Sequence, residues 1–131
     1  MTVLDTDVLL DAMRGGETAI GFIDGLLVGP DPVAVSAITI MQLHEGIARS
    51  MRRAREAERV RDALQGVVTY PFTHAIAERA GAVQGELLRR GRPVATIDLI
   101  IGATALHHGE PVATRNRRDF GRIAGLDIVG P

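Results

Sequence analysis

The chain has 131 residues, 46% apolar and 24% charged, with a net charge of −1, which suits one globular domain and excludes a mainly disordered chain. It has no cysteine, and all 15 of its basic residues are arginine. Disulfides, thiolate metal sites, cysteine nucleophiles, Walker A loops and Schiff-base lysines are therefore excluded.

In chain order, Val3-Leu4 reads as a short strand ending at Asp5, and residues 8–14 as a turn or two of helix. Thr18 to Leu27 carries apolar residues at helical spacing, and the Gly29-Pro30-Asp31-Pro32 run ends it. Val33 to Val35 reads as a buried strand, Thr39 to Leu64 as one long helix, and Val67 to Tyr70 as a third strand closed by Pro71. Thr73 caps the next helix, which stops before Gly91-Arg92-Pro93. Asp98 opens a helix, Pro111 to Thr114 is a fourth strand, Asp119-Phe120 a turn or short helix, and Leu126 to Val129 a last strand. Strands alternating with helices predict an α/β fold with a mostly parallel sheet of four or five strands and helices on both faces, one domain over residues 1–131.

Ligands of such a sheet bind beyond the carboxyl ends of its strands. Asp5, Thr39 and Thr114 fall at those ends. Asp5, Asp98 and Asp119 are the candidate catalytic residues, and three carboxylates in one cleft repel each other unless a cation neutralises them. Oxygen-only ligands suit Mg²⁺, with Mn²⁺ as a substitute. The alternative for Asp98 is a helix N-cap, since carboxylates are common there. Asp7 and Asp11 are weaker candidates for the same site and read more as turn and surface residues.

Four blocks carry a resemblance: Val3-Leu4-Asp5-Thr6-Asp7, Ser36 to Ile47, Asp98 to Leu106, and Val112 to Phe120. In order and spacing they resemble the motifs of PIN-domain nucleases over nearly the whole chain, and the compact length is similar to the VapC toxins within that family. The resemblance implies a PIN-like three-layer α/β/α domain and Mg²⁺-dependent RNA cleavage as the toxin of a type II toxin–antitoxin pair. It also implies a homodimer, and a hetero-oligomer with a small antitoxin that blocks the site. Asp5 and Asp98 carry over as metal ligands. The family usually has Glu where this chain has Gln42, and often Asp where it has Asn116. Glu45 and Asp119, each three residues further on, are positioned to compensate on a shared helix face. Thr39-x-x-Gln42 also fits a capping box, which would make Gln42 structural. Thr114 is expected to fix a ligand by hydrogen bonding. The lost charges leave a second reading open, a weakly active or inactive domain that binds RNA or a protein without cutting.

Arg115, Arg117 and Arg118 surround the fourth block and are the expected RNA-phosphate contacts, because a guanidinium forms forked bonds to phosphate. The arginines from Arg49 to Arg61 read either as a solvated face paired with Glu56, Glu58 and Asp62 or as a phosphate rail. With 3% aromatic residues, base stacking is a minor element of recognition. Apolar faces around Phe22, Leu26, Leu64 and Leu87 exceed one small core and so also predict a homodimer. No run reaches the roughly 18 apolar residues of a membrane span, and Asp5, Asp7 and Asp11 occupy a start where a signal peptide is basic; the expected location is the cytoplasm.

Overall fold

A computed structural model describes residues 1–131. The elements are β1 (Thr2–Leu4), α1 (Thr6–Met13), α2 (Glu17–Leu27), β2 (Val33–Ser36), α3 (Ala37–Arg49), α4 (Arg53–Ala63), β3 (Val67–Tyr70), α5 (His74–Arg89), α6 (Thr96–His108), β4 (Val112–Ala113), α7 (Arg117–Phe120) and β5 (Ile128–Val129). The strands form one sheet in the order β3-β2-β1-β4-β5, and every pairing is parallel. No helix is long and apolar enough to cross a membrane.

The period of two along each strand divides the core into two layers. Leu4, Val33, Val35 and Ala113 face one side and pack with Val8, Leu9, Ile23, Leu43 and Val60 of α1 to α4. Val3, Ala34 and Val112 face the other, against Ile101, Ala105 and Phe120 of α6 and α7. A third cluster joins α5 to α6 through Ile76, Leu87, Leu99 and Ala103. Gly102 lets α6 sit close to the segment after α7, since a Cβ there would lie 2.5 Å from Ile123 Cδ1.

Three expectations are corrected. Residues 39–64 form two helices, because Ser50 is extended (ψ 142) and its hydroxyl accepts from the Arg52 N–H at 3.0 Å, ending one helix and beginning the next. A serine side chain that bonds nearby backbone competes with the helical ladder, and no glycine or proline marks the break. The N-cap of α3 is Ser36, whose hydroxyl accepts from the Ile38 N–H at 3.1 Å. Thr39 lies inside the helix, bonded to the Thr6 hydroxyl at 2.9 Å, so Thr39 and Gln42 form no capping box. Finally, Leu87 is buried at 6% exposure, and Phe22, Leu26 and Leu64 pack against the first core cluster. One copy already packs these side chains against its own core, Phe22, Leu26 and Leu64 only in part, so they are not the free apolar faces that the spacing suggests.

The strand order reverses at β1, which has β2 on one side and β4 on the other. This is the point at which an open parallel sheet leaves a crevice at its carboxyl edge. Asp5 directly follows β1 and Thr114 directly follows β4, so both residues stand at that crevice.

Candidate active site

Asp5 is 3% exposed and occupies the N-cap position of α1 without capping it. Its N–H is held by the Ala113 carbonyl at 2.9 Å, so the β1–β4 pairing fixes its backbone. The Thr114 hydroxyl donates to Asp5 Oδ2 at 2.8 Å and accepts from the Asn116 N–H at 2.9 Å. With its proton and one lone pair so committed, the hydroxyl holds one carboxylate oxygen and leaves the other for a ligand. Burial raises the Asp5 pKa; the Thr114 bond opposes the rise and the nearby Asp7 charge adds to it.

Asp98 lies in the first turn of α6, whose N-cap is Ala95. It is therefore not the cap that its position at a helix start suggests. Its carboxyl is pushed up to about 6, by burial first and then by the charges of Asp5, Asp7 and Asp119. Asp119 belongs to α7 and is held by Asn116, whose Nδ2 donates to Asp119 Oδ2 at 2.9 Å. In return Asn116 Oδ1 accepts from the Asp119 N–H at 3.2 Å and caps the helix. Arg122 lies 3.8 Å from the other Asp119 oxygen.

A pocket of about 540 Å³ at this edge is lined by Asp5, Asp7, Val8, Asp11, Arg14, Arg115 and Asn116, and Asp98 and Asp119 lie outside its lining. Arg115 is tied to Asp11 by a bond of 2.8 Å across 104 residues of sequence. Charge-assisted bonds of this length are among the stronger polar contacts, so a guanidinium is fixed on the wall of an acidic pocket. Arg117 and Arg118 are exposed in α7, outside the lining of this pocket. Gln42 and Glu45 line the adjoining pocket instead, which shares only Arg14 with the first. Gln42 Oε1 is buried and has no hydrogen-bond donor.

Of the residues lining this pocket, the sequence marks Asp7 and Asp11 only as weaker candidates and does not single out Arg14. Their spacing of four and then three puts them on one face of α1, and that periodicity was the available signal. The histidines stay outside the site. Tyr70 stacks on His108, with ring centroids 3.7 Å apart, and donates to Glu110 at 2.6 Å. Burial and then Glu110 push its hydroxyl up to about 12.

No three His, Asp or Glu side chains come close enough together to hold an ion by themselves. The donor set still fits a hard cation, because Mg²⁺ keeps several waters and takes only one or two carboxylates from a protein. A positive charge beside Asp98 would relieve the repulsion that raises its pKa. The positive ends of α1 and α6 offset part of that repulsion in its absence.

The PIN domain profile matches residues 2–126. A Sinorhizobium fredii protein named VapC ribonuclease Y4jK is 31% identical over 100% of this chain and 97% of its own length. A Shigella flexneri protein named tRNA(fMet)-specific endonuclease VapC is 27% identical over 95% of this chain and 92% of its own length. The crystal structure of DNA-bound VapBC from Salmonella typhimurium aligns with a TM-score of 0.89 at 27% identity, over 98% of this chain and 96% of that one.

Proposed function

The chain belongs to the PIN-domain family, and we propose that it is a metal-dependent endoribonuclease, the toxin of a type II toxin–antitoxin pair. The observation that carries this reading is Asp98 standing within charge range of a Thr114-fixed Asp5, of Asp7 and of Asp119 at the sheet's crevice. The names of the relatives, ribonuclease and endonuclease, agree with it.

Asp5 and Asp98 would hold Mg²⁺ or Mn²⁺. Such an ion supplies an activated water and neutralises charge developing on a phosphoryl group. The chain's own residues then have distinct tasks. Thr114 fixes Asp5 in one orientation. Asp119, held by Asn116, would accept a proton from, or orient, the attacking water. Gln42 or Glu45 would supply a further oxygen from the adjoining pocket. Arg115, held by Asp11, binds a non-bridging phosphate oxygen and keeps the RNA backbone over the carboxylates, with Arg117 and Arg118 continuing that contact.

The partners belong to the same proposal. A small antitoxin covers the site, and the apolar groove of Leu9, Ile20, Ile23 and Leu27 beside α1 and α2 offers it a seat. The toxin is a homodimer, and Val68, Phe72 and Leu88 are large apolar side chains that one copy leaves exposed. Its place is the cytoplasm, with its RNA substrate.

A second reading, an RNA- or protein-binding domain that does not cut, is favoured by the absence of three converging ligands. One experiment separates the two. The purified chain, free of antitoxin, is incubated with labelled tRNA in Mg²⁺, in Mn²⁺ and in EDTA. Cleavage that EDTA stops and Asp98→Ala abolishes is the expected result. Binding without cleavage in either metal, or cleavage that survives Asp98→Ala, overturns the nuclease assignment.

A further inference from the structure

The pocket that adjoins the acidic one has no role in the reading above beyond one possible ligand. It lies between α1, α3 and α4, has a volume of about 550 Å³, and is lined by Arg14, Gln42, Glu45, Arg49, Glu56 and Arg59 among others. That volume is in the range of small-ligand sites. Arg59 is engaged by Glu56 at 3.9 Å. Arg14 and Arg49 form no ion pair at all. Three guanidiniums against two carboxylates leave the pocket cationic, next to a site that is strongly anionic. Gln42 adds an independent sign of a missing partner, a buried amide oxygen with no donor from the chain. Buried polar groups of that kind are costly to leave unmade. Arg14 lines both cavities, so one extended polar ligand can run from one into the other.

We propose that this pocket seats the nucleotide next to the scissile phosphate, with its phosphate on Arg14 and Arg49 and its ribose 2′-hydroxyl donating to Gln42 Oε1. The assignment rests on the ribonuclease reading, and it accounts for two features that reading leaves unused. A phosphate takes the two free guanidiniums, since arginine matches its geometry with forked bonds. A 2′-hydroxyl is the sugar's only donor in an internal RNA residue, and it distinguishes RNA from DNA. The residue at position 42 thereby becomes a sugar reader as well as a neighbour of the acidic site.

The test uses a fluorescent single-stranded oligoribonucleotide and its all-deoxy counterpart, titrated by anisotropy across salt against the non-cleaving Asp98→Ala chain. In that background Arg49→Ala and Arg14→Ala each weaken RNA binding about fivefold to tenfold. Each also makes the salt dependence shallower by about 0.7, the single-strand value for one phosphate contact. Arg49→Lys restores most of the slope, which a folding defect would not allow. Gln42→Leu removes the preference for RNA over DNA. Unchanged affinity and slope in both arginine variants overturn the proposal. So does a polyglutamate peptide that depends on Arg14 and Arg49 when RNA does not, because the pocket then belongs to an acidic protein partner. Cleavage by the parent chain is measured on the same preparation. Cleavage with unchanged slopes sinks the subsite alone, whereas changed slopes without cleavage support the RNA pocket and sink the nuclease reading.

Discussion

Replacing Asp98 by asparagine keeps the shape of the site and removes the charge it accommodates least well. The Asp98 carboxyl is pushed up to about 6 by burial and by three other carboxylates. The folded chain therefore keeps this proton over a range in which the unfolded chain, at an ordinary value near 4, has released it. Stability is highest below that ordinary value, falls as pH rises from about 4 to about 6, and carries the full penalty above 6. A shift of about two units corresponds to roughly 3 kcal/mol, and screening at a half-buried position reduces this to about 1–2 kcal/mol. An acidic residue in the first turn of a helix gains about 0.5 kcal/mol from the dipole, which asparagine forfeits. Ala95 caps α6, so no capping bond is lost. The net expectation for Asp98→Asn in EDTA at pH 7.5 is a gain of about 1 kcal/mol, a melting temperature higher by roughly 3–5 °C. The gain disappears below pH 4. Mn²⁺ at a hundredfold excess over its Kd would stabilise the parent by about 2.7 kcal/mol and the variant far less, reversing their order. Thermal melts at pH 3.5, 5.5 and 7.5 with and without Mn²⁺ check this. A variant that melts lower than the parent at pH 7.5 in EDTA, or a difference that ignores pH, refutes the electrostatic reasoning.

Two further outcomes are expected. Thr114→Val removes the hydroxyl that holds Asp5 Oδ2 and the Asn116 N–H; urea unfolding at neutral pH should show a loss of about 2–3 kcal/mol, the scale for a buried bond to a charged group. That deficit should shrink on acidification, because the lost bond favours only the ionised Asp5, and a deficit independent of pH would place the role of Thr114 in packing. Gln42→Glu, if residue 42 reaches the ion, should raise Mn²⁺ affinity about tenfold in calorimetric titration, equal to about 1.4 kcal/mol. Unchanged affinity would assign Gln42 to its own pocket alone.

Much of this molecule is legible in its sequence. The strands are short β-branched runs bounded by aspartate, proline and glycine, so their order reads directly, and the parallel register then brings Asp5 and Thr114 to one edge. The Asp5–Thr114 bond spans 109 residues, yet it follows from the single step of aligning β1 with β4. What the sequence conceals is set by side chains that bond locally. Ser36 and Ser50 end and begin helices without glycine or proline, so the α3 boundaries are hidden. Asp11 looks like a surface residue until the fold delivers Arg115 to it. Phe22, Leu26 and Leu64 look surplus because periodicity marks a face as apolar without showing what already covers it.

The charge count at the crevice also gives a physical account of the amide at position 42. Burial, and then the charges of Asp5, Asp7 and Asp119, already raise Asp98 to about 6 in the absence of an ion. Another carboxylate in coupling range would raise it further and deepen the cost of folding without metal, since like charges in a partly buried site disfavour ionisation. Glutamine keeps the length and the oxygen of glutamate while adding no charge. It would leave Asp98 nearer its ordinary ionisation at neutral pH, and an ion bound there would be held by less charge. The glutamine also has an unpaired amide oxygen and lines a pocket with Arg14 and Arg49, which form no ion pair. A carboxylate in that position would pair with Arg14 or Arg49 and occupy the guanidiniums that phosphate needs. On the proposed reading, the neutral side chain would keep two sites available at once, an acidic one for a cation and a basic one for the RNA backbone, with Arg14 lining both.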